Sequence, residues 1–149
     1  MALKVNQIAP DFTLPSTSGQ EFSLFKDGSR KPCILYFYPK DFTPGCTKEA
    51  CEFRDSFSLL RELNVDIYGI SQDNIKSHIK FKEQYRLPFD LLADTTGKVS
   101  KLYHASLPFL KINRRITYLL DRDRKIRAVY EALFGAGRHA KEMISRLKP

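Results

Sequence analysis

Three cysteines in 149 residues are too few, and too odd in number, for a scaffold built on disulfides. No stretch approaches the roughly 18 consecutive apolar residues that a membrane-spanning helix needs, so no membrane association is expected. The first ten residues lack the basic-then-apolar pattern of a secretory leader and the Arg/Ser-rich composition of a transit segment. A cytoplasmic protein is therefore expected, with a matured organellar form left open. Internal repeats, low-complexity tracts and linkers are missing as well, and residues 1–149 read as a single domain.

The formal net charge is +8, and it gathers late in the chain: residues 111–149 hold 11 basic and 4 acidic side chains. No nucleic-acid recognition motif accompanies these charges. They read as a solvated face with one or two arginines drawn inward, and no nucleic-acid partner is expected. His78, His104 and His139 stand at no metal-ligand spacing with the cysteines, so neither a metal nor a cofactor is expected.

What is present is a pattern of alternating short strands and helices. Residues 12–14 and 21–24 flank a Ser/Thr/Gly turn and read as a hairpin. Residues 33–38 form an unbroken apolar run, suited to a central strand buried on both faces and ended by Pro39. Thr43-Pro44 is a helix start, a hydroxyl at the N-cap and proline at the first helical position. Ala50, Phe53, Phe57, Leu60 and Leu63 then follow at helical spacing. Strand 65–71, helix 75–85, strand 91–93, helix 97–103, strands 116–120 and 126–130 and a closing helix 138–147 complete the order. It predicts an α/β sandwich, a central mixed sheet with helices on both faces and an N-terminal hairpin.

The chemistry concentrates in residues 38–51, Tyr-Pro-Lys-Asp-Phe-Thr-Pro-Gly-Cys-Thr-Lys-Glu-Ala-Cys. Cys46 falls in the first turn of a helix, where unpaired backbone N–H groups and the helix dipole favour a thiolate. Gly45 removes a side chain beside the sulfur and lets a small substrate approach the backbone. Cys51 lies five residues on. On a regular helix the two Cα atoms stand about 8.7 Å apart, beyond the roughly 7 Å that a disulfide spans. Bonding the pair requires local unwinding. Cys33, mid-strand among aromatics, reads as an inert core thiol. Of the adjacent Arg114 and Arg115, only one can face a site at the end of a strand. Glu49 can either bond Arg115 or complete a capping contact.

The string Pro39-x-x-x-Thr43-Pro44-Gly45-Cys46-Thr47-x-x-x-Cys51 resembles the active-site signature of peroxiredoxins, and its cysteine spacing is similar to the peroxiredoxin Q, or bacterioferritin comigratory, group. Ala9-Pro10-Asp11-Phe12, Asp94-x-x-Gly97-Lys98-Val99 and residues 115–121 extend the likeness along nearly the whole chain. The resemblance implies a thioredoxin-like fold and a thiol peroxidase acting on hydrogen peroxide and organic hydroperoxides. Cys46 would form a sulfenic acid, Cys51 would close an intramolecular disulfide, and a thioredoxin- or glutaredoxin-type reductant would reopen it. Thr43 would orient the peroxide, Pro39 would shield the sulfur, and Arg115 would stabilise the thiolate.

Two rival readings use other features. A thioredoxin-type oxidoreductase would place two residues between its cysteines, not four, and a basic redox-sensing or nucleic-acid-binding protein would use the pair as a switch. Residues 104–113 are shorter and more apolar than the family pattern. Leu107, Pro108, Phe109, Leu110 and Ile112 are expected to fold back onto the core, and a monomer is expected.

Overall fold

A computed structural model of the chain describes residues 2–26 and 31–131, with Met143, Ser145 and Arg146. The elements run β1 (Thr13–Pro15), β2 (Glu21–Ser23), β3 (Cys33–Phe37), α1 (Pro44–Asp55), α2 (Phe57–Glu62), β4 (Asp66–Ser71), α3 (Ile75–Tyr85), β5 (Asp90–Ala93), α4 (Lys98–Leu102), β6 (Ile116–Leu120) and β7 (Ile126–Glu131). The expected closing helix 138–147 lies outside the described residues apart from the three just named.

β1 and β2 form the antiparallel hairpin, and the other strands form one sheet ordered β5-β4-β3-β6-β7. β3 pairs in parallel with β4, and β4 with β5, while β6 runs antiparallel to both β3 and β7. β3 is buried along its whole length, as its apolar run requires. Its side chains alternate between two cores. Cys33, Leu35 and Phe37 face the hairpin, Val99 and Tyr103. Ile34, Tyr36 and Tyr38 face Ala50, Phe53, Leu60, Phe81 and Met143. Helices α1–α3 thus cover one face, and α4 with the hairpin covers the other. Between β3 and β4 the packing leaves no room for a side chain at Gly69: a Cβ there would stand 2.6 Å from Cζ of Tyr36.

One helix was expected where the chain makes two. α1 ends at Ser56, whose φ of −97° and ψ of 3° leave the helical range and whose N–H is shared between the carbonyls of Glu52 and Phe53. The apolar spacing survives the break because Phe53 and Leu60 both reach the same core.

The loop 107–112 also departs from expectation. It does not fold back: Pro108, Phe109 and Leu110 are exposed, Phe109 completely. Residues 105–114 make a narrow arm instead, closed by Arg114 N–H donating to the Ala105 carbonyl and by a bridge between Ser106 and Asn113. Phe109 sits at its tip with φ of 64°. The arm pairs its own backbone groups, so its tip has no need of the core.

Candidate active site

β3 ends beneath the site. The Tyr38 N–H makes a last bond to the Ile70 carbonyl, Pro39 has no N–H to continue the ladder, and the chain turns away from the sheet. Phe42 takes φ of 66°, and the backbone then enters α1 through Thr43 and Pro44. Thr43 has the extended backbone of an N-cap, but its hydroxyl does not cap the helix; it donates to the Lys40 carbonyl at 2.8 Å. The Thr47 N–H already bonds the Thr43 carbonyl, and Pro44 has no N–H. Gly45 and Cys46, in the first turn of α1, have N–H groups with no intrahelical acceptor.

Cys46 is buried, Cys51 is half-buried, and both are free thiols. Arg115 stands just before β6, whose first residue, Ile116, pairs with Phe37 at the end of β3. Its Nη2 lies 3.4 Å from Cys46 Sγ, and its Nη1 donates to Glu49 Oε1 at 2.6 Å. Glu49 is therefore the partner of Arg115, the first of the two alternatives open in the sequence. Burial pushes the Glu49 carboxyl up to about 8, against the downward pull of Arg115. Burial works against the Arg115 charge too, but Glu49 and the Cys46 sulfur more than offset it and hold the guanidinium protonated.

Gly45 also bears on Arg115: a Cβ there would lie 3.1 Å from Nη2, so a side chain at this position would press on the guanidinium. Arg114 points elsewhere, pairing with Glu131 at 2.8 Å and donating to the His104 carbonyl. Cys33 lies inside the hairpin-side core, where burial pushes its thiol up to about 12, the range of an inert sulfur. Pro39 is half-buried at the exit of β3. The structure thus gathers Cys46, Gly45, Thr43 and Arg115 at one end of the sheet, with Cys51 on the next turn and a half of α1.

The surrounding polar groups were not foreseen. Asp41, Asp73 and His78 bring their ligand atoms within 4.8 Å of one another, although 37 residues separate Asp41 from His78. This cluster is internally bonded, as described below, and involves no cysteine. A cavity of about 580 Å³ opens between Gln72, Gly97 and the arm 106–111, and neither Cys46 nor Cys51 lines it.

Residues 5–129 match the model of the AhpC/TSA family. The chain belongs to that family. A Coxiella burnetii protein named as a peroxiredoxin, bcp, is 43% identical over 153 residues, covering 99% of this chain and all of the relative. The chloroplastic peroxiredoxin Q of Suaeda salsa is 42% identical and matches 93% of this chain, which spans 65% of that longer protein. Among solved structures, the peroxidoxin BcpB of Mycobacterium tuberculosis superposes with a TM-score of 0.91 at 34% identity, covering 97% of this chain and 96% of that one. The peroxiredoxin fold of this chain, a five-stranded mixed sheet with its hairpin, agrees with that match.

Proposed function

We propose that this peroxiredoxin is a thiol-dependent peroxidase that reduces hydrogen peroxide and organic hydroperoxides at Cys46 and resolves through Cys51. The observation that carries the reading is the Arg115 guanidinium 3.4 Å from Cys46 Sγ, backed by a buried Glu49, at a helix N-terminus. The Cys46 thiolate attacks one peroxide oxygen, the O–O bond breaks, and the leaving oxygen departs as water or alcohol after taking a proton. Arg115 and the Gly45 and Cys46 N–H groups oppose the negative charge that grows on the oxygens. The Thr43 hydroxyl, its own proton committed to Lys40, offers lone pairs to a peroxide O–H. Pro39 shields the sulfur from bulk water.

Cys46 is left as a sulfenic acid, and the Cys51 sulfur displaces water from it to form the disulfide. A thioredoxin- or glutaredoxin-type dithiol then supplies two electrons and is itself oxidised. The protein works as one domain and as a monomer. None of the described helices is long and apolar enough to cross a membrane, and a cytoplasmic site of action, or an organellar one as in the chloroplastic relatives, fits this chemistry.

The test is a pair of substitutions assayed with peroxide, thioredoxin and its reductase. Cys46→Ser should abolish peroxide reduction. Cys51→Ser should consume about one equivalent of peroxide per chain and hold a sulfenic acid that dimedone traps. Full thioredoxin-dependent turnover by Cys51→Ser would remove Cys51 from the resolving role.

A further inference from the structure

We infer that the buried pair His78–Asp41 is a positioning clamp, fixing the loop 40–43, and with it the Thr43 hydroxyl, against α3; the inference rests on the peroxidase reading above. The loop needs such a device. After the Tyr38 N–H it has left the sheet, and α1 does not begin until Pro44. In between, Phe42 holds a left-handed conformation that a bulky residue adopts only when its surroundings impose it.

Asp41 is where the surroundings take hold. Its N–H donates to Asp73 Oδ2 at 2.9 Å. Its Oδ1 accepts from the Tyr38 hydroxyl, and its Oδ2 accepts from Ser77 Oγ at 2.8 Å and faces His78 Nδ1 at 2.7 Å. The other ring nitrogen of His78, Nε2, faces the Leu92 carbonyl at 3.0 Å. A carbonyl cannot donate, so Nε2 carries a proton. Two bare acceptors would repel at 2.7 Å, so a proton lies between Asp41 Oδ2 and Nδ1, and with two hydroxyls already donating to the carboxylate we assign that proton to Nδ1. His78 is then an imidazolium that ties the loop to α3 on one side and to β5 on the other. The groups facing it are Asp41, the Tyr38 hydroxyl at 3.4 Å from Nδ1, and Asp73 behind Asp41. Both side chains of the pair are buried, at 0% and 1% exposure, so neither charge has water to fall back on.

Phe42 adds an apolar grip on the same helix, its ring 5.1 Å from that of Phe81 and 6.4 Å from that of Tyr85. Two consecutive loop residues thus dock on α3, and Thr43 follows them directly. With Thr43 O–H bonded to the Lys40 carbonyl, the hydroxyl direction is set by a loop whose register Asp41 determines. The clamp acts on the peroxide and not on the Cys46 sulfur, which Arg115 contacts.

Two substitutions at position 78 separate the two bonds of the ring. Asparagine carries its amide nitrogen about where Nδ1 stands and keeps a donor towards Asp41. Glutamine carries it about where Nε2 stands and keeps only the donor towards Leu92. Competition kinetics should show His78→Gln reducing peroxide about tenfold or more slowly, the scale of a displaced catalytic group. His78→Asn should stay within about threefold of wild type on that scale. Alkylation of Cys46 by iodoacetamide, which has no use for Thr43, should proceed equally in all three. In wild type, ¹⁵N spectra of the His78 ring should show both nitrogens protonated at neutral pH. The clamp is overturned if the two variants slow alike, if His78→Gln matches wild type, if alkylation falls in step with peroxide reduction, or if either ring nitrogen is bare. A wild type that leaves peroxide untouched overturns the peroxidase reading, while the ring spectrum still judges the clamp.

Discussion

Arg115 serves two partners through separate nitrogens, Nη1 to Glu49 at 2.6 Å and Nη2 to the Cys46 sulfur at 3.4 Å, and that division assigns their roles. The Glu49 bond fixes the guanidinium, and the nitrogen turned to the sulfur is the one placed to meet charge that develops on an oxygen beside it. Arg115→Ala should slow peroxide attack by roughly 10²-fold, the effect of losing one charged transition-state donor. Arg115→Lys should rescue it in part, since a lysine cannot hold Glu49 and the sulfur with one planar fork. A stopped-flow rate for the alanine variant within about twofold of wild type would place the charge outside the mechanism. Glu49 makes a separate prediction through stability. Its folded value of about 8 lies above the 4.5 of a solvated carboxyl. Its stabilising effect is therefore full below about 4.5 and is lost as pH rises to about 8, because the unfolded chain releases the proton first. Each pH unit in that window costs up to about 1.4 kcal/mol. Glu49→Gln, which stays neutral, should gain on wild type across it in urea unfolding of the reduced proteins. A constant gap from acid to neutral pH would refute the buried proton. Cys46, Cys51, Thr43 and Arg115 were legible because one string and one strand start carry them. Asp41–His78 was not, since no spacing rule joins a loop to a helix 37 residues on, and the Thr43 hydroxyl found a nearer acceptor than the helix end.

At the scale of the element, α1 must be stable enough to hold Cys46 and weak enough to release it. Its first turn has Pro44 and Gly45, no acidic residue to favour the dipole and no side-chain cap, so it holds itself together poorly. Its foot is tied down. Phe53 is buried and stacks on Tyr36 at 4.8 Å, a pairing worth about 0.5–1.5 kcal/mol beyond its burial. Arg54 Nη1 donates to the Tyr85 carbonyl at the end of α3 at 2.9 Å. Forming the Cys46–Cys51 bond must unwind the segment between, because positions five apart on a regular helix stand about 8.7 Å apart. Amide hydrogen exchange should show residues 46–54 losing protection on oxidation while β3 and α2 keep theirs. An oxidised structure with α1 intact through a Cys46–Cys51 bond would sink this argument. The strands were read from sequence almost to the residue, since alternation and buried runs depend on local pattern. The break at Ser56 was not, because the core-facing spacing of Phe53 and Leu60 is the same on either side of it.

For the molecule as a whole, the exposed arm bears on association. Monomer behaviour was expected in part on the ground that apolar loops pack inward, and that ground fails: Phe109 stands clear of the protein, with Leu110 largely exposed beside it. A different argument leads to the same expectation. A stable interface buries about 800 Å² on each partner, some 20–30 residues a side, whereas this tip offers Pro108, Phe109 and Leu110 between Lys111 and the exposed Lys101. Three apolar residues beside Lys101 and Lys111 do not supply a dry core against an identical, equally basic copy, in a chain of net charge +8. Sedimentation velocity at micromolar concentration should therefore give a monomer for wild type and for Phe109→Glu alike. If wild type sediments as a dimer and Phe109→Glu as a monomer, the tip is an interface that the size argument misses. The same variant should unfold like wild type, because a side chain in full contact with water contributes almost nothing to the fold, and a large loss of stability would mean that Phe109 packs inward in solution after all.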